Sequence, residues 1–156
     1  MSQMMPQQTS QGYSPPSVRQ FSVFLENKVG RLLDLVRLFD EATDVRLCGM
    51  SVLESSDHGV ARLITNNGSS TERMLREHGV TFAVVDLLVV ELCGNHTLSS
   101  MCMCLLGAEL NIRFAYPLMF GTDGTPTIAL AVDDHVLAGQ ILRRKNFRLL
   151  GEADLV

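Results

Sequence analysis

Hydrophobic and polar positions along this chain follow two periods. Apolar residues at every second position, the spacing of a half-buried strand, recur in four short segments of the first half. Apolar residues three and four apart, the spacing of an amphipathic helix, lie between them. The predicted strands are residues 21–25, 45–53, 60–65 and 81–85. The predicted helices are residues 32–42 and a second segment that residues 66–70 cap and Gly79 ends.

The second half of the chain repeats this β-α-β-β-α-β order. Its predicted strands are residues 87–92, 112–120, 127–132 and 147–150, and its predicted helices are residues 98–108 and 133–145. The halves also match in sequence. Residues 45–53 align with residues 112–120 at an offset of 67, and Leu32 aligns with Leu98 at an offset of 66. A self-match at fixed spacing indicates a duplicated structural unit.

Each half has the layout of the split β-α-β, or ferredoxin-like, motif. We therefore predict an α+β fold of two ferredoxin-like βαββαβ units. Each unit has an antiparallel sheet with strand order 4-1-3-2 and carries its helices on one face. The expected division is 18–86 for the first unit and 87–151 for the second, with a shared interface because no linker separates them. Residues 1–17 are rich in Gln, Ser and Pro, so we expect a disordered tail.

Composition narrows the classes of function. Hydrophobic residues make up 46% of the chain and the net charge is −4, which favours a globular core and disfavours nucleic-acid binding. No polybasic cluster, signal peptide or membrane-spanning segment is found, so we expect a cytoplasmic protein without a membrane partner. The four cysteines have no zinc-ligand spacing and the four histidines are scattered, so neither a metal nor a cofactor is expected. No phosphate-binding loop or nucleophile with its base is found, which disfavours an enzyme.

Residues 92–108 contain no charged residue, although they include a whole predicted helix. A helix that is apolar all round is normally covered all round. We expect this helix to pack against another helix, either from the first unit or from a second chain in a homo-oligomer. The alternative is an exposed, weakly polar face that uses Ser99 and Ser100.

Residues 26–32 link an apolar strand to a helix and place Gly30 just before Leu32 in the first helical turn. This segment resembles the signature of the ACT domain, and the whole chain from 18 to about 151 resembles stand-alone tandem ACT proteins. The second half departs from the signature, because Asn95 and His96 stand where the first half has Val29 and Gly30.

The resemblance implies regulation without catalysis. ACT domains typically bind a free amino acid at an interface between two domains and transmit that binding to a partner or a fused enzyme. We therefore expect a non-catalytic, amino-acid-sensing regulatory protein that binds a small amino acid at the interface between its ACT domains. The alternative is an interaction module that resembles the regulatory subunit of an amino-acid biosynthetic enzyme such as acetolactate synthase.

The expected ligand site lies at the start of the first helix. Unpaired backbone N–H groups at a helix N-terminus suit a carboxylate, and a glycine lets a ligand approach the backbone. The side-chain carbonyl of Asn27 is suited to an ammonium group. The residues expected to hold the main-chain part of the ligand are Asn27, Val29, Gly30, Arg31 and Leu32. The residues expected to read its side chain, from the second strand of the other unit, are Phe114, Ala115 and Tyr116. Alternatively, Gly30 only permits tight packing and Asn27 only satisfies the turn.

Overall fold

The computed structural model describes residues 8–9, 12–13, 16–26, 28–54, 57–119 and 124–155. Strands and helices alternate as the hydrophobic periods predict. The strands are β1 Gln8–Thr9, β2 Gly12–Tyr13, β3 Val18–Glu26, β4 Leu47–Glu54, β5 His58–Thr65, β6 Phe82–Glu91, β7 Ile112–Pro117, β8 Thr127–Val132 and β9 Arg148–Leu150. The helices are α1 Arg31–Glu41, α2 Gly68–Glu77, α3 Leu98–Gly107 and α4 His135–Arg144.

The first unit has the predicted sheet. Its strands lie in the order β4-β5-β3-β6 and every neighbouring pair is antiparallel, which confirms the order 4-1-3-2. Helices α1 and α2 lie on one face of this sheet. Their buried residues Leu35, Phe39 and Leu75 pack against Phe21 and Val23 of β3.

The second unit repeats the arrangement. Strand β6 pairs with β8 on the way to β7, and β9 also pairs with β6, so the order is again 4-1-3-2. Helices α3 and α4 cover one face, where Met101, Leu105 and Leu142 pack against Leu88 and Val90 of β6. The α+β fold of two ferredoxin-like units is confirmed.

The sequence predicted two strands, residues 81–85 and 87–92, where the structure has the single strand β6. Nothing interrupts this strand because it contains neither glycine nor proline. Strand β6 pairs with β3 as far as Leu87, and with β8 and β9 from Leu88 and Val89 onward. One strand therefore serves as the last strand of the first unit and the first strand of the second.

The helix-free faces of the two sheets pack against each other. Val18 and Ile64 from the first unit, together with Val89 and Ala129 from the second, form a common core between the sheets. The helices consequently form the two outer layers of a helix–sheet–sheet–helix arrangement.

A second contact between the units explains why β7 ends at Pro117 rather than at residue 120. The amide of Met119 donates to the carbonyl of Cys48 in the first unit, at 2.9 Å, and Phe120 lies outside the described residues.

The C-terminal residues cross back to the first unit, which the sequence did not predict. A 3₁₀ turn over Glu152–Asp154 places the Glu152 carboxylate 2.8 Å from Nε of Arg19 and 3.0 Å from the amide of Gly68 at the start of α2. Leu155 is buried in the core between the sheets. Within the predicted tail, β1 and β2 pair with each other, and the remaining residues of 1–15 lie outside the described part of the chain.

Helix α3 packs on one side against α4 and the second sheet. Its outer side chains are exposed: Met103 is 71% exposed and Leu106 is 75% exposed. The expected cover from a helix of the first unit is therefore not found at these residues.

Candidate functional site

Helix α1 begins without a side-chain cap. Its N-cap residue, Gly30, has a φ of +88°, which is a conformation that favours glycine, and among the described residues no atom beyond those of its two chain neighbours lies within 4 Å of where its Cβ would be. The amide of Asp34 donates to the Gly30 carbonyl as the first helical bond. Among the described residues, no acceptor is found for the amides of Leu32 and Leu33. The start of α1 therefore carries free donors and the positive end of the helix dipole.

The other three helices have side-chain caps. The N-cap residues are Asn67 for α2, Thr97 for α3 and Asp134 for α4, and each accepts a hydrogen bond from an amide in the first helical turn. Among the four α-helices that the structure describes, only α1 lacks a side-chain acceptor for an amide of its first turn.

An open groove of about 550 Å³ adjoins the start of α1. It lies between α1, strand β3 and the turn from α2 to β6. Apolar side chains such as Leu35, Leu38 and Val80 line one part of it. The polar and charged lining residues are Glu26, Arg31, Asp34, His58, His78 and Thr81. A groove of this composition offers charged groups to a zwitterion and apolar surface to its side chain.

Three neighbouring charged side chains form ion pairs at the edge of the groove. The Glu26 carboxylate lies 3.2 Å from Nζ of Lys28 and 3.3 Å from a guanidinium nitrogen of Arg31. The hydrogen bond from Lys28, followed by the charges of both cations, holds the pKa of Glu26 below its ordinary value. Two cations share this one carboxylate, and the Asp34 carboxylate, which also lines the groove, brings the formal charge of the four side chains to zero.

The structure brings four of the predicted site residues together. Val29, Gly30, Arg31 and Leu32 follow one another at the start of α1, and Arg31 lines the groove. Asn27 lies outside the described residues.

The residues expected to read the ligand side chain lie elsewhere. Tyr116 is buried between the sheets and its hydroxyl donates to Oε1 of Gln20 at 2.7 Å. The guanidinium of Arg62 lies 3.9 Å from the centre of the Phe114 ring. These contacts are on the helix-free face of the first sheet, opposite the face that carries α1. The face-to-face packing of the sheets thus separates Phe114 and Tyr116 from the groove within one chain, and Ala115 between them is exposed on the other side of β7.

Tyr116 has a structural role in this arrangement. Burial raises the pKa of its hydroxyl far above the ordinary value for tyrosine, so the group stays neutral and acts as a hydrogen-bond donor.

Sequence reasoning missed the side of the groove formed by the turn after α2. His78 is fixed there by a hydrogen bond from its Nδ1 to the carbonyl of Met74 at 2.8 Å, and Val80 and Thr81 follow. The internal repeat contained a signal for this turn. At an offset of 67 it aligns Val80 with Phe147, so the two units differ in side-chain size at this position.

The described residues lack two further features. No cluster of three or more His, Cys, Asp or Glu side chains in them has a geometry that could hold a metal ion. None of the helices described is both long enough and apolar enough to cross a membrane.

Comparison with known proteins places this fold. No curated protein sequence gives a significant match. Protein BT0572 from Bacteroides thetaiotaomicron is similar in structure, with a TM-score of 0.79 and 20% identity over 90% of this chain and 96% of that one. The regulatory subunit of aspartate kinase from Thermus thermophilus, in a ligand-free form, has a TM-score of 0.54 and 7% identity over 83% of this chain and 93% of that one. The profile of the family described as "ACT domain pair" matches residues 16–156. The chain, with its two ferredoxin-like units, therefore belongs to the ACT domain pair family.

Proposed function

We propose that this protein is a non-catalytic sensor in the cytoplasm that binds a small free amino acid and reports its binding to a partner. In this proposal residues 1–17 are a tail, residues 18–86 form the first ACT domain and residues 87–151 form the second. The ligand binds in the groove beside α1 of the first domain.

The observation that carries this proposal is the uncapped start of α1 beside an open groove. A ligand carboxylate would accept hydrogen bonds from the amides of Leu32 and Leu33 and pair with the Arg31 guanidinium. Each charge-assisted bond of this kind contributes about 1.5–3 kcal/mol. The Asp34 carboxylate, which lines the groove, is suited to the ligand ammonium group. The ligand side chain would lie against the apolar residues Leu35, Leu38 and Val80.

Phe114 and Tyr116 are not part of the proposed site. Between the sheets, the Phe114 ring contacts Arg62 and the Tyr116 hydroxyl donates a hydrogen bond to Gln20. The ligand side chain is instead read by the apolar part of the groove.

The experiment is calorimetric titration with each of the twenty amino acids separately. The wild type is expected to bind at least one of them, and Gly30→Asp is expected to lose that binding because the new carboxylate repels the ligand at the helix start. Gly124→Asp is the matched control, since Gly124 also has a positive φ, of 75°, and open space around it. No binding by the wild type to any of the twenty, or equal loss in both variants, contradicts the proposal.

A partner is part of the proposed function. The exposed outer face of α3, with Met103 and Leu106, carries no charge and supports association of two copies of this chain through that face. Light scattering should show a homo-oligomer that Met103→Glu converts to a monomer. Recovery of a monomeric wild type in complex with an amino-acid biosynthetic enzyme would favour the alternative, a regulatory-subunit-like interaction module.

A further inference from the structure

The groove of the first unit has an equivalent position in the second, which can be identified from the backbone. The turn after α2 has Gly79 at φ +67°, and the turn after α4 has Asn146 at φ +65°. The next amide bonds back into the helix in both units, from Val80 to Leu75 at 3.0 Å and from Phe147 to Leu142 at 2.9 Å. Phe147 therefore stands where the first unit has Val80.

The other side of the groove is matched by the first helix of each unit. Leu35 and Phe39 of α1 are buried in the same way as Met101 and Leu105 of α3, at an offset of 66. The same offset places His96 at the position of Gly30.

His96 and Phe147, which replace Gly30 and Val80, contact each other in the second unit. The rings of His96 and Phe147 stack with their centres 4.0 Å apart and an angle of 18° between their planes. Phe147 is only 5% exposed. In the first unit, the corresponding positions are a residue without a side chain and a valine that lines open space.

The His96 ring is held against Phe147 without a hydrogen bond at Nδ1 from the described residues. Its Nδ1 atom is buried and has no hydrogen-bond partner among the described residues. Leaving a buried polar atom unpaired is unfavourable. The ring therefore contributes packing against Phe147 and occupies the space that is open in the first unit.

The helix start is closed as well. The Thr97 hydroxyl accepts from the amide of Ser100 at 3.1 Å, and the Ser100 hydroxyl accepts from the amide of Thr97 at 2.9 Å. This capping box uses a donor of the kind that α1 leaves open. Thr97 also stands where the first unit has Arg31, so the second unit lacks that cation.

We infer that His96, Thr97 and Phe147 close the second unit to ligand, so that each chain binds one amino acid, in the first unit only. The inference rests on the function proposed above and adds its stoichiometry and the residues that set it. The second unit then serves as a platform that shares strand β6 and the inter-sheet core with the binding unit.

The first test is calorimetric stoichiometry, using whichever of the twenty amino acids binds the wild type. One ligand per chain is expected. Two ligands per chain would overturn the inference and leave the proposed function intact, whereas no binding of any of the twenty would overturn the proposed function itself.

The second test moves the closing residue into the first unit. Val80→Phe places a ring in the groove without strain on the backbone and should lower affinity at least tenfold. Val52→Phe, on the edge strand β4 and away from the groove, is the matched control and should bind as the wild type does. Unchanged affinity in Val80→Phe would show that the ligand lies elsewhere.

The third test opens the second unit. The triple variant His96→Gly, Thr97→Arg and Phe147→Val copies Gly30, Arg31 and Val80 into the second unit and should bind two ligands per chain. Circular dichroism and a cooperative thermal transition establish that the variant is folded. A folded triple variant that still binds one ligand would contradict the assignment of these residues as the closing ones.

Discussion

The two units bury the same positions of their first helices but begin those helices differently. Leu35 and Met101 occupy equivalent sites against their sheets, as do Phe39 and Leu105. The segment just before each helix has Gly30 and an uncapped start in the first unit, and His96 with a capping box in the second. The buried repeat specifies the fold, and we propose that the few residues that break the repeat decide what each unit can bind.

The outer faces of these helices differ in the same way. Arg37 and Asp40 of α1 are exposed and charged, while the aligned residues of α3 are the exposed Met103 and Leu106. Neither pair takes part in the buried core, so the fold tolerates both. The duplication has therefore produced one first helix with a charged outer face and one with an apolar outer face.

The largest expected effects come from truncating the equivalent core residues. Leu35→Ala and Met101→Ala should each destabilise the protein by about 2–5 kcal/mol, because each leaves a cavity under a helix. We expect one unfolding transition in both variants, since the units share β6 and the inter-sheet core. Urea unfolding, followed with hydrogen exchange in segments of both units, measures this. Two transitions, only one of which shifts in each variant, would show that the units unfold independently.

The second effect concerns the C-terminal turn, whose Glu152 carboxylate binds to Arg19 and Gly68 of the first unit. Glu152→Ala should cost about 1–3 kcal/mol, because it removes the acceptor for Arg19 and for the amide of Gly68 at the start of α2. Hydrogen exchange should become faster in α2 of the first unit but not in the equivalent helix α4. Glu54→Ala, an exposed glutamate on the edge strand β4, is the control and should change little. Equal loss of protection in α4 would contradict the contact's restriction to the first unit.

The same carboxylate predicts a pH dependence. Burial alone would raise the pKa of Glu152, but the hydrogen bonds from the Arg19 side chain and the Gly68 amide outweigh burial and leave the pKa below its ordinary value of 4.5. A carboxyl whose pKa is lower in the folded state stabilises the protein fully above the unfolded pKa and loses that contribution as the pH falls through the folded pKa. The stability difference between wild type and Glu152→Gln should therefore shrink below about pH 4.5. A difference that stays constant from pH 7 to pH 3 would contradict this.

Much of the fold could be predicted because buried positions leave a periodic trace in the sequence. The spacing of Leu35 and Phe39, repeated by Met101 and Leu105, identifies both first helices and their inner faces. The continuity of β6 could not be predicted, because Asp86 in the middle of an apolar run is compatible with either a break or a strand. Nor does any local pattern indicate that the two helix-free sheet faces pack together, since Val18 and Val89 are far apart in the sequence.

The same distinction between local patterns and tertiary packing applies to the candidate site. Gly30 and Arg31 could be recognised because a glycine followed by an amphipathic helix is a local signal. The opposite side of the groove, with His78 and Val80, depends on how the turn after α2 lies against α1, which is a tertiary property. Phe114 and Tyr116 were expected at the site as part of the second strand of the other unit, but the packing of the sheets places them in the core between the units.

A smaller stability effect tests the difference between the helix starts. Thr97→Ala should cost about 0.5–2 kcal/mol because it removes the cap of α3, a loss of a few °C in Tm for a protein of this size. Arg31→Ala, at the aligned position of the uncapped α1, should leave the Tm nearly unchanged. Thermal unfolding of both variants measures the contrast, and an equal fall in Tm would indicate that Arg31 stabilises the start of α1 through its ion pair with Glu26.

The smallest stability effect, with the most specific functional consequence, is expected at Glu26. Glu26→Gln should leave the Tm unchanged, because this exposed carboxylate lies at the protein surface and its pairs with Lys28 and Arg31 are solvated. Affinity for the amino acid that binds should rise about two- to fivefold, since the two cations are then released to attract the ligand carboxylate. Titration calorimetry of the wild type and Glu26→Gln at low ionic strength measures the change. Glu54→Gln removes the same charge away from the groove and corrects for the net charge of the protein. A fall in affinity would instead indicate that Glu26 receives the ligand ammonium, and would place the zwitterion in the groove in the opposite orientation.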